Sequence, residues 1–211
     1  MLDIGANMGW YTSFLGKFGY SIISFEPFET YYYVLFKNYC LNNMGSNVVI
    51  VTKGIDVEEK DCHYYIQKGN LGNGMTICDH EKTNNQSPGN GFERVKDVLM
   101  TKLSNFIPYL SDKYLALIKI DIEGAEEKAL ESGIDLITKY HVPFILIEFS
   151  PTFLRNHGTN PYEFIQLFVK NGYYISINSF LDNNFISERR LFEIIGFQKN
   201  IYLIHKNMIN N

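Results

Sequence analysis

Short apolar runs alternate with amphipathic segments along this chain, and an acidic residue stands at or near the end of the clearest runs. These acids are Asp3, Glu26, Asp121 and Glu148. Continuous apolar runs are typical of parallel strands buried on both faces, and the amphipathic segments between them predict crossover helices. The pattern therefore predicts a doubly wound, Rossmann-like α/β fold. In such a fold the acids collect at the carboxyl ends of the strands, where ligands bind.

Helical spacing and apolar runs place the individual elements. We predict helices over residues 10–18, 30–41, 103–110, 125–132 and 161–170, and strands that begin at Met1 or run over 20–25, 48–51, 92–100, 115–120, 144–149, 173–178 and 200–205. Two short strands, 63–66 and 75–78, flank a loop rich in glycine and asparagine, which predicts an inserted β-hairpin. Residues 79–91 are polar and aperiodic, and we interpret them either as a mobile lid or as a plain disordered insertion.

The loop after the first strand is the most informative stretch. A dinucleotide fingerprint, G-x-G-x-x-G, would need glycine at positions 5, 7 and 10, whereas the chain has Gly5, Asn7 and Trp10. The residues instead give D-x-G-x-x-x-G, with Asp3, Gly5 and Gly9, which resembles the cofactor loop of methyltransferases that use S-adenosylmethionine. In that role the glycines let the backbone approach the ligand, and Asp3 accepts from its ammonium group. The first turn of the next helix would then offer free N–H groups.

A second acid lies where such a site needs one. Glu26 ends the second strand roughly twenty residues after the loop, at the position of the acid that accepts both ribose hydroxyls in doubly wound folds. Pro27 ends the strand directly behind it. After the third strand, Asp56 is either an acceptor for the adenine amino group or a solvated loop residue. Alternatively, the loop after the first strand is an ordinary glycine-rich turn, and Glu26 is an unrelated surface glutamate.

The composition limits which binding partners and which cellular location we expect. A chain of 211 residues that is 45% hydrophobic suits one globular domain. The formal net charge of −4 and the lack of a basic stripe argue against nucleic acid or an anionic membrane surface as the main partner. No apolar run is long enough to span a membrane. Cys40, Cys62 and Cys78 are odd in number and lack metal-ligand spacing, so we predict reduced thiols and a cytoplasmic location. The oligomeric state stays open.

Four stretches together resemble the FkbM family of methyltransferases, and the resemblance covers almost the whole chain. They are Asp3-x-Gly5-x-Asn7-x-Gly9, Phe25-Glu26-Pro27, Lys119-x-Asp121-x-Glu123-Gly124-x-Glu126 and Leu146-Ile147-Glu148. The resemblance implies a seven-stranded, mostly parallel sheet with an antiparallel last strand. It also implies a methyltransferase (EC 2.1.1) with S-adenosylmethionine as methyl donor, and O-methylation of hydroxyls on sugars or complex natural products.

The chain departs from that family pattern in two places. We expect a single class I methyltransferase domain over residues 1–211, but one that lacks the usual N-terminal helical cap or is a fragment of a longer protein. Before the fourth parallel strand, where a Thr-Leu-Asp-Asp run often stands, the chain has Thr101-Lys102-Leu103-Ser104-Asn105.

Asp121, Glu123 and Glu148 are the predicted catalytic carboxylates. At the ends of neighbouring strands they would face the cleft where cofactor and acceptor meet. Their mutual repulsion should raise at least one pKa toward the range of a general base. Alternatively, the same oxygens bind a divalent cation such as Mg²⁺, which would lower the pKa of the acceptor hydroxyl, although the sequence fixes no ligand set. His157, in the loop after the next strand, is either a further base or an exposed loop histidine.

The main hypothesis is an S-adenosylmethionine-dependent O-methyltransferase that acts on a hydroxyl of a sugar, glycan or complex natural product. Its partner would then be a small-molecule or glycan acceptor. Asp121-Ile122-Glu123-Gly124 is not the Asn/Asp-Pro-Pro-aromatic motif of enzymes that methylate planar amides and bases, which disfavours transfer to nitrogen. The alternative is a non-catalytic S-adenosylmethionine-binding domain, or a fragment of a larger glycan-modifying protein.

Overall fold

Residues 1–78, 91–110 and 112–209 are described by a computed structural model, except for the side chains of residues 71–73. The chain divides into two compact units. The first unit is Leu2–Lys102, and the second is Leu103–Asn211 together with Met1. The predicted lid lies, apart from Gly91, outside the described residues. A single domain over residues 1–211 stays a prediction.

Three parallel strands and two helices form the α/β part of the first unit. They are β1 (Leu2–Ile4), α1 (Trp10–Lys17), β2 (Ile22–Phe25), α2 (Glu29–Leu41) and β3 (Val48–Val51). β2 pairs parallel with β1 on one side and with β3 on the other, so that Ser24 stands opposite both Asp3 and Ile50. The two helices are the crossovers that parallel strands require. The helices and strands predicted in this part of the chain are confirmed, with small shifts at their ends.

A second sheet completes the first unit, in the order β4-β7-β5-β6, with β4 (Gly54–Ile55), β5 (Asp61–Gln67), β6 (Asn70–Ile77) and β7 (Phe92–Thr101). β5 pairs antiparallel with both β6 and β7. The predicted hairpin loop is too long, because Lys68 and Gly69 alone connect the strands. Gly74, predicted in the loop, lies in β6. A Cβ there would collide with the Tyr64 side chain, so this glycine makes room for an aromatic ring.

Cys62 and Cys78 form a disulfide, so the prediction of reduced thiols is wrong for this pair. Cys62 lies on β5 and Cys78 directly follows β6. The antiparallel pairing of His63 with Ile77 brings the two cysteine Cα atoms to 4.3 Å. A separation of 16 residues did not indicate the bond, because only the hairpin register makes these cysteines neighbours. Cys40 is free and exposed. The cytoplasmic location stays a prediction, without support from this pair.

Four strands and several short helices form the second unit. After a 3₁₀ helix (Leu103–Leu110) come β8 (Leu117–Ile120), α3 (Glu126–Glu131), α4 (Asp135–Thr138), β9 (Phe144–Phe149), α5 (Pro151–Asn156), α6 (Pro161–Lys170), β10 (Tyr173–Ser176), α7 (Glu188–Ile194) and β11 (Lys199–His205). β8 and β9 are parallel, with Lys119 opposite Leu146. β11 runs antiparallel to both β9 and β10.

Four of these helical segments in the second unit differ from prediction, and two of them, α4 and α7, were not predicted at all. Leu103–Leu110 is a 3₁₀ helix with Pro108 inside it, because proline removes the donor that an α-helix needs at that point. The residues after β9, predicted as loop, form α5 instead. Ser150 caps this helix by accepting from the N–H of Phe153, and Pro151 occupies the first turn, where its missing N–H is harmless.

The chain therefore has a mixed α/β fold with seven mostly parallel strands, three in the first unit and four in the second. Buried aliphatic side chains line β1, β2, β8 and β9, as their apolar runs predicted. In β3 only Val48 is buried and Val49 is exposed, because no other strand of the described residues pairs with β3 on its outer side. Among the described residues, no helix is both long and apolar enough to cross a membrane.

Candidate functional site

The loop between β1 and α1 depends on three residues with a left-handed backbone. Gly5, Asn7 and Gly9 have φ angles of 77°, 51° and 85°. Glycine adopts this conformation without a steric penalty, and asparagine is one of the few other residues that visit it. Gly9 meets a second requirement, because a Cβ there would collide with Leu35 of α2. The turn and the packing of α2 thus both depend on the motif residues.

Backbone N–H groups of this loop are used within the first unit. Those of Gly5 and Ala6 both donate to the Phe25 carbonyl at 3.0 Å, and that of Gly9 donates to the Ala6 carbonyl at 2.8 Å. The N–H of Met8 donates to Asn7 Oδ1 at 2.8 Å. The loop is therefore closed by its own hydrogen bonds. Donation of N–H groups to a ligand stays a prediction for the first turn of α1.

Glu26 is buried directly after β2, and its carboxylate is fixed at both oxygens. The N–H of Asn7 donates to Oε2 at 2.9 Å, and the N–H of Phe28 donates to Oε1 at 2.8 Å. A carboxylate oxygen can accept more than one hydrogen bond. That Glu26 accepts from the ribose hydroxyls of S-adenosylmethionine stays a prediction.

Asp3 is fully buried and connects three elements of the first unit. Thr12 Oγ1, on α1, donates to Asp3 Oδ2 at 2.6 Å, and it also lies 2.5 Å from Ser24 Oγ on β2. Asp3 thus holds the flanks of the loop together. Its predicted contact with the ammonium group of the cofactor stays a prediction.

Asp56 is buried, so its interpretation as a solvated loop residue is wrong. Lys60 Nζ lies 3.0 Å from Asp56 Oδ1, and the N–H of Glu58 donates to the same oxygen at 3.3 Å. The predicted contact with an adenine amino group stays a prediction.

Asp121, Glu123 and Glu148 come together in the second unit. One carboxylate oxygen from each lies within 4.8 Å of the others. Asp121 and Glu123 follow β8, and Glu148 lies near the end of β9, so the parallel pairing of these strands brings the acids to one edge. Lys119 is buried beside them, with Nζ 3.3 Å from Asp121 Oδ2. Its positive charge stabilises the ionised form of the neighbouring carboxyl groups.

Burial and repulsion raise the pKa values of two of these acids. Burial, a hydrogen bond with Asp121 and the charge of Asp121 raise the pKa of Glu148 to about 7, against an opposing hydrogen bond from Gln198. Burial and the charges of Glu148 and Asp121 raise the pKa of Glu123 to about 8. Glu148 therefore stays protonated to a higher pH than an isolated glutamate does.

The turn that carries Glu123 packs against His157. Glu123 has a φ of 56°, a conformation that is rare for such a residue, and Gly124 follows with a φ of 106°. A Cβ on Gly124 would lie 2.7 Å from His157 Cδ2, so only glycine fits beside this ring. Glu126 is buried and accepts from the N–H groups of the two residues that flank Glu123, and burial raises its pKa to about 7. His157 thus lies partly buried beside the acidic turn and is not an exposed loop histidine.

A cavity of about 320 Å³ in the second unit lies away from these residues. Its wall includes His141 and His205, whose rings stack with centroids 4.8 Å apart, and none of the predicted site residues. The candidate site is therefore identified by hydrogen bonds and charge and not by the shape of this cavity.

Sequence reasoning missed the residues that orient the predicted acids. Thr12 holds Asp3, Phe28 holds Glu26, and Gln198 holds Glu148. Thr12 had a usable signal, since it is a hydroxyl residue in the first turn after the loop. Gln198 had none, because only the pairing of β11 with β9 brings it to Glu148.

The family model for the Methyltransferase FkbM domain matches residues 3–175. A crystal structure of methyltransferase FkbM from Methylobacillus flagellatus KT is similar, with a TM-score of 0.55 and 16% identity over 97% of this chain and 43% of that chain. This similarity shows the fold alone, and the chain spans less than half the length of that neighbour.

A second similar structure is a provisionally assigned tRNA methyltransferase from Streptococcus pneumoniae, with a TM-score of 0.47 and 13% identity over 97% of this chain and 62% of that chain. None of the curated proteins matches the chain.

Proposed function

The chain belongs to the FkbM methyltransferase family, and on that premise we propose that it transfers a methyl group from S-adenosylmethionine to a hydroxyl oxygen of a sugar, glycan or complex natural product. The observation that carries the catalytic part of the proposal is the Asp121–Glu148 pair. Their carboxylate oxygens lie within 4.8 Å of each other, and the pKa of Glu148 is raised to about 7, which suits a general base at neutral pH.

The residues of the first unit hold the cofactor in this proposal. Glu26 accepts both ribose hydroxyls, and Asp3 accepts from the ammonium group. Gly5, Asn7 and Gly9 shape the loop, and Asp56 accepts from the adenine amino group. When bound, S-adenosylmethionine supplies a methyl group on a positively charged sulfur, so its C–S bond breaks as the new C–O bond forms.

The residues of the second unit handle the acceptor proton. Glu148, in its ionised form, accepts the proton of the attacking hydroxyl. Lys119 stabilises the remaining charge at Asp121, with 3.3 Å between Nζ and Oδ2. Glu123, with a pKa raised to about 8, is mostly protonated at neutral pH and can donate a hydrogen bond to the acceptor. His157 orients the turn that carries Glu123.

A rival use of the same cluster is a divalent cation site. Oxygens of Asp121, Glu123 and Glu148 within 4.8 Å of one another suit a cation such as Mg²⁺, which would lower the pKa of the acceptor hydroxyl directly. Activity measured with and without EDTA distinguishes the general-base mechanism from the metal-assisted one. We expect methyltransferase activity to be unchanged by EDTA. A metal-assisted enzyme would lose its activity in EDTA and regain it when Mg²⁺ is added.

The test of function measures S-adenosylhomocysteine released from S-adenosylmethionine with a panel of hexoses, deoxyhexoses and their methyl glycosides. We expect S-adenosylhomocysteine to be released only when an acceptor of one class in this panel is present. Glu148→Gln should lower the rate by about 10²-fold or more, the usual scale for a general base. Glu131→Gln, an exposed glutamate on α3, is the matched control and should behave as wild type. Equal rates in Glu148→Gln and wild type would contradict the assigned base. Binding of S-adenosylhomocysteine without turnover on any acceptor would favour the non-catalytic alternative.

A further inference from the structure

The β5–β6 hairpin packs on the segment that follows Glu26. One cluster of buried side chains contains Phe28 and Tyr31 from that segment together with Cys62, Tyr64 and Cys78 from the hairpin. All of these residues belong to the first unit. The disulfide therefore lies in the same packed cluster as the residue that holds the Glu26 carboxylate.

Phe28 connects the hairpin to Glu26 through two contacts. Its ring stacks on the Tyr64 ring, with centroids 4.6 Å apart and planes inclined by 10°, and the Tyr31 ring packs edge-on against it. Its backbone N–H donates to Glu26 Oε1 at 2.8 Å. Fixing the Phe28 ring thus fixes the direction of the N–H group that orients the carboxylate.

The disulfide holds the strand that carries Tyr64, the partner of Phe28 in the ring stack. Cys62 and Tyr64 project from β5 into the cluster, and the Cys62–Cys78 bond ties β5 to the residue that follows β6. The bond lies where β6 leaves the hairpin. Without the disulfide, the pairing of His63 with Ile77 is the contact that holds the C-terminal end of β6 to β5. The strands around Tyr64 are then no longer linked by a covalent bond.

We propose that the Cys62–Cys78 disulfide and Tyr64 position Glu26 for cofactor binding, so that the oxidation state of the disulfide sets the affinity for the cofactor. This inference rests on the proposed function, because it takes Glu26 as the carboxylate that binds the cofactor ribose. A dithiol reductant would break the S–S bond. Each sulfur then gains one electron and one proton, and the reductant leaves as its own disulfide.

The test compares S-adenosylhomocysteine affinity, by isothermal titration calorimetry, in the oxidised wild type and in Cys62→Ser/Cys78→Ser. The double variant avoids the need to reduce a buried bond. We expect its dissociation constant to rise about tenfold, the scale of one weakened hydrogen bond to a charged group. Cys40→Ser removes the exposed free thiol and should bind as wild type does. An affinity of the double variant within about twofold of wild type would overturn the inference.

Two further comparisons separate positioning from general stability. Tyr64→Leu keeps the disulfide and loses the stack, so it should bind more weakly, whereas Tyr64→Phe keeps the ring and should bind as wild type. These two Tyr64 variants provide the test if the cysteine variant does not fold.

In a Glu26→Gln background, loss of the disulfide should change affinity by less than about twofold, because the carboxylate that the disulfide positions is gone. The same tenfold loss in that background would mean that the disulfide acts elsewhere. Failure of the oxidised wild type to bind would overturn the proposed function and this inference with it.

Discussion

Glu26 is oriented before any ligand arrives, because two backbone N–H groups hold its oxygens at 2.9 and 2.8 Å. A carboxylate that is already fixed loses little conformational freedom when it binds, so more of its interaction energy appears as affinity. Asn7 supplies one of these donors from a left-handed backbone position. The motif loop and the acid at the end of β2 thus form one hydrogen-bonded unit.

Replacing that acid tests its role. Glu26→Gln should weaken S-adenosylhomocysteine binding by on the order of 1–3 kcal/mol, since the ribose hydroxyls lose a charged acceptor and the new amide group faces one of the two backbone donors. Titration calorimetry measures the change, with Glu58→Gln as an exposed control in the same unit. Unchanged affinity in a folded Glu26→Gln protein would remove Glu26 from the site.

The Asp121–Glu148 pair predicts how the rate depends on pH. Glu148 accepts a proton only in its ionised form, so kcat/KM should rise with pH through an apparent pKa near 7 and then level off. Profiles at saturating S-adenosylmethionine provide the measurement. A rate that is flat from about pH 6 to about pH 8 would exclude this pair as the base.

At the scale of residues, the apolar runs predicted which acids lie at the strand ends, but not which residues hold them. Glu26, Asp121 and Glu148 each lie at or directly after the end of an apolar run, and the structure gives each a fixed partner. The burial of Asp56 depends on Lys60, and that of Asp3 on Thr12, and neither contact follows from a local pattern. His157 lies in the turn directly after α5, a helix that was not predicted because its cap, Ser150, was overlooked.

At the scale of elements, the hairpin of β5 and β6 is the part that a covalent bond holds together. The Cys62–Cys78 bond closes a loop with a sequence separation of 16. Its removal in Cys62→Ser/Cys78→Ser should lower the free energy of unfolding by about 3 kcal/mol, because the unfolded chain regains the entropy of that loop. Urea unfolding followed by circular dichroism measures the loss. Cys40→Ser should shift it by less than about 0.5 kcal/mol, and an equally small shift in the double variant would contradict the prediction.

Elements with strong periodicity were predicted well, whereas those defined by a cap or a cross-strand contact were not. α2 and α6 have clear helical spacing, and both form where predicted. The hairpin loop was predicted too long because Gly74 reads as a turn residue, although it serves to admit the Tyr64 ring. The disulfide was not predicted for a related reason. It depends on the pairing register of β5 with β6, which no local sequence pattern specifies.

At the scale of the whole molecule, the buried acids link folding to pH. The pKa values of Glu123, Glu126 and Glu148 are raised in the folded state to about 8, 7 and 7, from an ordinary value of 4.5. Between these limits the folded state binds more protons than the unfolded state, so stability falls as pH rises and the loss levels off above the folded pKa values. The lowered pKa of His205 acts in the opposite direction, but only below its ordinary value of 6.5.

The melting temperature should therefore fall between about pH 7 and about pH 8.5, a window in which the acids dominate. Glu123→Gln should reduce this fall, because the variant has no carboxyl group to ionise at that position. Glu131→Gln should show the same fall as wild type. A melting temperature that rises over this window, or a Glu123→Gln profile identical to wild type, would contradict the raised pKa of Glu123.

The fold class was predictable from the whole chain because alternating apolar runs and helical segments leave few arrangements other than a largely parallel α/β sheet. The seven strands, and the antiparallel course of β11 beside β9 and β10, agree with that expectation. The four-stranded sheet of β4 to β7 was foreseen only in part. Its order depends on pairings between distant segments, such as Gly54 with Met100.

We expect the loop after β1 and Glu26 to bind S-adenosylmethionine and not a dinucleotide. Isothermal titration calorimetry of the purified chain with S-adenosylhomocysteine, and with NAD under the same conditions, tests this expectation directly. We expect S-adenosylhomocysteine to bind and NAD not to bind, with no change on addition of Mg²⁺. A well-folded protein that binds NAD, or that fails to bind S-adenosylhomocysteine, would contradict the account.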